Sequence, residues 1–299
     1  MTTVTIAIAS TGRPSLARCL ASIAALINPM SHVIDVVIAD DSPDGSVARL
    51  LREHPGLPFK TAVIITAAHN VAIARNACLN AATGDYIAFI DDDEWAEPDW
   101  LSRMFACLAD FNADCVFGPV HPIYPVGTPR WIVDANPLHV DWGKRGRRVS
   151  VGRGGNTLFK RAIAEQHHLR FDPALGRTGG EDTQFFHRYG QTGAIMVVTD
   201  DAIIREHAPP ERVKIAYFRA RALRTGQIYA RFVVDETART PLARARFYAG
   251  ALAKAAVAHG AGILVYPVNQ ALWLRLAMRG WMNIGKLREL FGLAPTHMS

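Results

Sequence analysis

The sequence holds only four cysteines, Cys19, Cys78, Cys107 and Cys115, with no CxxC pair among them. Neither a disulfide framework nor a thiolate zinc site is therefore expected, and a reducing, cytoplasmic setting fits. No GxGxxG turn follows the first apolar stretch, which argues against a dinucleotide such as NAD. Met1 to Ile8 lacks a basic segment followed by a longer apolar one, so no secretory signal is expected there. Internal repeats and low-complexity segments are missing as well. Acids are scarce at the C-terminal end: residues 201–299 hold 6 Asp/Glu against 15 Lys/Arg, net +9, whereas residues 1–200 hold 21 against 18, net −3. Such a tail suits an anionic partner, phosphates or a lipid surface, although a solvated basic face has the same composition.

What is present is an ample core, 49% apolar in 299 residues, enough for one large or two smaller domains. Short apolar runs at Val4–Ala9, Val33–Ala39, Ala62–Thr66 and Tyr86–Ile90 alternate with helical spacing at Leu16, Leu20, Ile23 and Ile27, at Ser46–Arg52 and at Val71–Ala82. This β-α-β-α-β-α-β order predicts an α/β chain with a mainly parallel sheet, since parallel strands need crossovers of helix length. Ligands of such sheets bind beyond the carboxyl ends of the strands. The loops there carry Thr11 and Arg13, Asp40 and Asp41, and Asp91 to Asp93. A nucleotide site is expected from that gathering.

The most unusual stretch is the strand Tyr86–Ile90 running into Asp91, Asp92, Asp93 and Glu94. Four adjacent carboxylates repel one another, and a hard divalent ion, Mg²⁺ or Mn²⁺, is the simplest neutraliser. Capping of the helix expected from Pro98 to Leu108 would explain one or two of them. A strand over Asp114–Val120 follows, then residues 121–150, rich in Pro, Gly, Trp and Arg, expected as a long loop. Gly179 and Gly180 precede Glu181 and Asp182 in the first turn of a helix expected to run to Tyr189. Acids there are ordinary dipole compensation, yet one ionised carboxylate with a second to tune it also makes a general base. After a strand at Ile195–Thr199, His207 lies in an expected polar turn and could add an imidazole to a metal shell or be merely structural. Residues 255–274 contain no Asp, Glu, Lys or Arg, but Gly260, Pro267, Asn269 and Gln270 dilute them. That segment, with Trp273, Arg275 and Arg279 beside it, is expected to lie in a membrane interface rather than to span, or to pack on the rest of the protein.

Thr11-Gly12-Arg13-Pro14, Asp40-Asp41-Ser42, Ala74-Arg75-Asn76, Asp91-Asp92-Asp93-Glu94-Trp95 with Pro98, Gly155-Asn156 and Gly179-Gly180-Glu181-Asp182 occur in one order. Together they resemble the inverting nucleotide-sugar glycosyltransferases of family 2, over roughly residues 4 to 226. The basic C-terminal part is similar to bacterial exopolysaccharide members of the succinoglycan type. The resemblance implies a GT-A fold over 1–226, with 1–120 binding the nucleotide-sugar and 121–226 holding the acceptor and base, followed by a helical, basic region at 227–299. It further implies that Thr11, Arg13 and Asp40 or Asp41 meet the nucleotide, that Arg75, Asp91 and Asp92 join them, and that Asp93 binds Mn²⁺ or Mg²⁺. Asp182 would be the base, with Glu181 beside it. No clear QxxRW follows residue 200, the nearest stretch being Arg221 to Gly226, so transfer of one sugar is expected rather than polymerisation.

The expected partners are a nucleotide-sugar donor, expected to be a UDP-sugar, and a saccharide or polyprenyl-linked acceptor at the inner face of the cell membrane, with no nucleic acid. Two other readings compete. A sugar-1-phosphate nucleotidyltransferase would share sheet and metal but want a glycine-rich phosphate loop after the first strand. A non-catalytic nucleotide-sugar-binding protein would need neither Asp93 nor Asp182.

Overall fold

Alternation of period two in the first strands decides the architecture. In β1 (Thr3–Ser10), Val4, Ile6 and Ile8 enter one apolar cluster and Ala7 another; in β2 (Val33–Asp40), Val36 and Ile38 part from Val37 and Ala39 in the same way. Helices cover both faces. The computed structural model describes residues 1–27, 32–54, 57–234 and 240–293; residues 235–239 and 294–299 of the expected C-terminal region lie outside the described residues.

The chain continues through α1 (Ser15–Ala24), α2 (Ser46–Glu53), β3 (Lys60–Ile65), α3 (Val71–Ala81), β4 (Tyr86–Phe89), β5 (Glu94–Ala96) and α4 (Trp100–Asp110). Then come β6 (Cys115–Phe117), β7 (Val120–Ile123), α5 (Arg130–Ala135), β8 (Thr157–Lys160), α6 (Arg161–Gln166), α7 (Glu181–Gln191), β9 (Met196–Val198) and β10 (Ile204–His207). Helices α8 (Ile215–Tyr229), α9 (Pro241–Val265) and α10 (Gln270–Leu290) complete it.

Contacts divide the chain into two compact units, Met1–His121 with Val140–Glu206, and Pro122–His139 with His207–Ser299. The first holds a seven-stranded sheet of order β3-β2-β1-β4-β8-β6-β9. Strands β1, β2, β3 and β4 are mutually parallel, and β6 is parallel to β9, but β8 runs antiparallel to both β4 and β6. Thus the expected mainly parallel α/β sheet is found, with one reversed strand. Helices α1 and α4 pack Leu16, Cys19, Trp100 and Met104 on one face; α3 and α7 pack Cys78, Leu79, Phe185 and Phe186 on the other. All four cysteines are free and buried.

In the second unit, Ile132, Leu138, Phe218 and Leu274 form the core. Helix α8 meets α10 at two glycines: a Cβ on Gly226 would lie 1.9 Å from the Met282 carbonyl oxygen, and one on Gly285 2.0 Å from that of Leu223. This backbone contact ties residues 215–229 to α10 within the second unit.

Two local readings differ from the structure, and a third segment is divided by it. The stretch expected as a long loop contains β7 and α5, whose Ile132 and Ala135 are buried. Glu206 and His207 belong to β10 instead of a turn, and Ile204–Glu206 pairs antiparallel with Glu94–Ala96. The uncharged segment 255–274 is not one element: α9 ends at Val265, and α10 begins where the Asn269 side chain accepts from the Leu272 N–H at 2.9 Å. Among the described residues α9 alone is long and apolar enough to cross a membrane, by length and composition only.

Candidate functional site

The parallel strands β1, β2 and β4 bring their carboxyl ends side by side. At the end of β1 the Ser10 hydroxyl donates to Asp92 Oδ2 at 2.7 Å and accepts from the Gly12 N–H at 3.0 Å. Arg13 Nη1 donates to Asp93 Oδ2 at 2.7 Å and lies 3.6 Å from Asp92 Oδ1. Thr11, between them, is exposed. The sequence reading missed Ser10, a lone hydroxyl at a strand end that carries no pattern of its own.

Two adjacent acids at the end of β2 have separate fates. Asp41 accepts from the Ala68, His69 and Asn70 N–H groups at 2.6, 3.1 and 2.7 Å and from the Thr66 hydroxyl at 2.9 Å, so both its oxygens hold the loop between β3 and α3. Asp40 uses only Oδ1, which accepts from the Ser42 N–H and hydroxyl at 3.0 and 2.5 Å. Its Oδ2 is buried without a hydrogen-bond partner. A buried polar atom in that condition is costly, and a ligand N–H would satisfy it.

After β4 the acidic loop meets α3 and α7 through one side chain. Arg75, 6% exposed, donates from Nη1 to Glu181 Oε1 at 2.7 Å and from Nη2 to Asp91 Oδ1 at 3.2 Å. The first turn of α7 can start there because Gly180 takes φ +99°, a left-handed conformation that suits glycine. Asp182, next to Glu181, accepts from the Gly154 N–H at 3.1 Å and from the Thr183 N–H at 2.6 Å. Two glycines make the approach possible: a Cβ on Gly154 would lie 2.3 Å from Arg75 Cζ, and one on Gly155 3.1 Å from both Asp91 Oδ2 and Glu94 Oε2. Asp91, Glu94, Arg75, Glu181 and Asp182 are thereby brought to one place. Asn76 anchors α3 from the side, exchanging hydrogen bonds with the Phe171 backbone at 2.8 Å each.

The electrostatics of this place are unbalanced. Burial opposes the Arg75 charge, but Asp91, Glu181 and Asp182 outweigh it and raise its pKa. Burial raises the pKa of Asp92 against the Arg13 charge and the Ser10 hydrogen bond. Burial, then the charge of Asp91, pushes Glu94 well above the ordinary carboxylate range, although the Asp91 N–H donates to it at 3.0 Å. Asp91, Asp92, Asp93 and Glu181 lie against two guanidinium groups. Glu94 and Asp182 add two further carboxylates held by backbone N–H groups, an excess of negative charge that a hard divalent cation accommodates.

Among the described residues no three His, Cys, Asp or Glu side chains already converge as a cage. Arg13 and Arg75 draw Asp93 and Asp91 toward themselves instead. The donor chemistry nonetheless fits Mn²⁺ or Mg²⁺, because it is all carboxylate oxygen, and the side chains of Asp91 and Asp93 remain 39% and 26% exposed. His207 ends β10, is exposed and belongs to the second unit, while the grouping above is built from first-unit residues. Asn156, quoted above with Gly155, is fully buried: it accepts from Trp100 Nε1 at 2.7 Å and donates to the Pro119 and Ala202 carbonyls at 2.7 and 2.9 Å.

Comparison with known proteins gives this geometry a context. The family model described as Glycosyl transferase family 2 matches residues 5–167. The chain is 33% identical over 284 residues to the succinoglycan biosynthesis protein ExoM of Rhizobium meliloti, covering 94% of this chain and 90% of that protein. Among solved structures it resembles the mannosyltransferase PcManGT of Pyrobaculum calidifontis, solved with GDP-Man and Mn²⁺ (TM-score 0.63, 20% identity, 97% and 87% of the two chains covered). It also resembles TarS 1-349 of S. aureus in complex with UDP-GlcNAc (TM-score 0.54, 13% identity, 98% and 93% covered). These likenesses establish the expected GT-A fold.

Proposed function

This chain belongs to glycosyltransferase family 2 and is a glycosyltransferase, and we propose that it moves a single sugar from a nucleotide-sugar to an acceptor hydroxyl with inversion. The donor is read as a UDP-sugar, and the acceptor as a saccharide or lipid-linked saccharide in exopolysaccharide assembly at the cytoplasmic face of the membrane. The relation to ExoM supports that setting. One observation carries the reading: Arg75 ties the acidic loop after β4 to the first turn of α7, so donor-side carboxylates and a candidate base share one locus.

The roles follow from that geometry. Asp40 offers its unpartnered Oδ2 to an N–H of the base, while Asp41 fixes the neighbouring loop. Thr11 and Arg13 flank the nucleotide, and Asp92, held by Ser10, keeps the loop in register. Asp93 and Asp91 would hold a divalent cation, Arg13 turning from Asp93 to the diphosphate. When bound there, such a cation would supply charge stabilisation for the departing nucleoside diphosphate. Asp182 accepts the proton of the acceptor hydroxyl as its oxygen attacks the anomeric carbon opposite the leaving diphosphate, and that one displacement inverts the anomer. Glu181, held by Arg75, positions Asp182 and does not exchange the proton.

The test is nucleotide release from UDP-, GDP- and dTDP-sugars with Mn²⁺, Mg²⁺ or EDTA, using wild type, Asp93→Ala and Asp182→Asn. Metal-dependent release from one nucleotide class, lost in Asp93→Ala, supports the donor site. Transfer to an added acceptor at the wild-type rate by a folded Asp182→Asn enzyme would remove the base assignment.

A further inference from the structure

Helix α9 is packed inside out. Its inward positions are small, with Ala251, Ala255, Ala258 and Gly262 buried. Its large apolar side chains point away: Leu252, Val257, Ile263 and Leu264 are 60%, 71%, 74% and 79% exposed. With Ala249, Ala253, Ala256 and Gly260 they recur at steps of three and four, so this face carries no charged or hydrogen-bonding side chain from Ala249 to Leu264. The turn into α10 continues it with exposed Tyr266, Val268 and Leu272. A helix facing water has the opposite arrangement.

Charge begins where the apolar tip ends. Lys254 precedes the tip on α9, and Arg275 and Arg279 follow it on α10; all three are exposed. Residues 240–293 hold seven Lys/Arg and one acid, Glu289, to which Arg231 Nε donates at 2.9 Å. Burial and then the charge of Lys254 lower the pKa of Lys286, so two cations neighbour each other at that level of the hairpin. The uncharged part of α9, residues 255–265, is about 16 Å long at 1.5 Å per residue. That charge-free part is roughly half of the ~30 Å hydrocarbon thickness of a bilayer, the depth of one leaflet, and any longer stretch of α9 would carry Lys254 into the hydrocarbon.

We propose that the α9–α10 hairpin inserts its tip into one leaflet of an anionic phospholipid bilayer, with Lys254, Arg275 and Arg279 at the level of the head groups. Anionic lipid matches the cationic collar, and lipid chains match the apolar stripe. A second copy of the chain fits less well, because it would set the same cations against one another. The inference rests on the second unit alone and does not depend on the transferase reading.

The test uses the full chain and flotation with vesicles of phosphatidylcholine alone or mixed with phosphatidylglycerol. A thiol-reactive, environment-sensitive fluorophore on Leu264→Cys reports depth, the four native cysteines being buried. Expected are binding to the mixed vesicles, a blue shift of the probe with quenching by deeply brominated lipid chains, and binding reduced roughly tenfold or more in Ile263→Asp/Leu264→Asp. Both side chains are exposed, so the double variant should melt as wild type does. Absence of binding to either vesicle overturns the proposal. So does binding that the double variant leaves unchanged, a bound probe still open to an aqueous quencher, or a solution dimer that the double variant dissolves and vesicles do not compete for.

Discussion

Arg75 Nη1 lies 2.7 Å from Glu181 Oε1, and both side chains are only 7% exposed. An ion pair so deeply placed is weak evidence for stability, because desolvating both charges offsets much of their attraction. Its role is geometric: the same guanidinium reaches Asp91, so the loop after β4 and the start of α7 cannot move independently.

Breaking that relationship from one side should be expensive. Arg75→Ala leaves Glu181 buried and uncompensated, which costs about 3–5 kcal/mol. The urea midpoint should fall accordingly, at unchanged slope. Arg75→Met/Glu181→Leu removes both charges and should recover much of that stability without recovering transfer. If the double variant were no more stable than Arg75→Ala, the pair would not be the reason for the loss.

Asp40 and Asp41 should separate binding from folding. Asp41→Asn turns an N–H donor toward backbone amides that need an acceptor, and hydrogen bonds to a charged group contribute about 1.5–3 kcal/mol each, so a loss of roughly 2–4 kcal/mol is expected. Asp40→Asn keeps an Oδ1 acceptor for Ser42 and removes a buried charge, leaving stability equal or higher. Its nucleotide affinity should fall about tenfold or more by calorimetric titration. The reverse pattern, a stable Asp41 variant that cannot bind, would exchange the two roles.

The parallel half of the fold was legible because its signals are local: strands of four to eight apolar residues, helices with a polar face and acids where strands end. Asp91 to Asp93, Glu181 and Asp182 are legible from residue type and order, whereas Arg75 enters only through the family resemblance. Their mutual geometry was not legible, since it depends on Gly154 and Gly155 letting the segment before β8 approach Arg75 and Asp91. The reversed direction of β8 has no local signature either. Composition also hides α5, a six-residue helix among Pro and Gly, and the turn at Asn269, whose capping side chain reads in sequence only as dilution of an apolar run.

Close approach at Gly154 makes a substitution test with an internal control. Gly154→Ala places a methyl 2.3 Å from Arg75 Cζ, and Arg75 is pinned by two carboxylates, so the neighbour has no room to give. A loss of about 1–3 kcal/mol is expected, as for other overpacked sites, with reduced transfer. Gly250→Ala, within α9 and with nothing inside 4 Å of the added carbon, should instead stabilise by about 0.5–1 kcal/mol through helix propensity. Thermal melts of both variants suffice, and equal effects would contradict the packing described for the segment before β8.

Tyr124 supplies a pH test in the second unit. Its hydroxyl donates to Asn136 Oδ1 at 3.0 Å and accepts from the Leu138 N–H at 3.2 Å. Burial outweighs the Leu138 hydrogen bond and the charge of Arg221, pushing the phenol up to about 12 from its ordinary 10.0. A raised pKa means that the folded state holds the proton more tightly than the unfolded chain. The contribution of Tyr124 is therefore fully present below pH about 10, where both states are protonated, and is lost as pH rises toward about 12. Tyr124→Phe, which keeps the ring and loses the hydroxyl, should cost about 1 kcal/mol at pH 8. The gap in urea midpoints between wild type and Tyr124→Phe should then shrink as pH is raised above about 10, because only the wild type has this proton to lose. A gap that stays constant to pH 11.5 would mean that the Tyr124 hydroxyl titrates alike in the folded and unfolded chain, and the buried hydrogen-bonded phenol described here would be wrong.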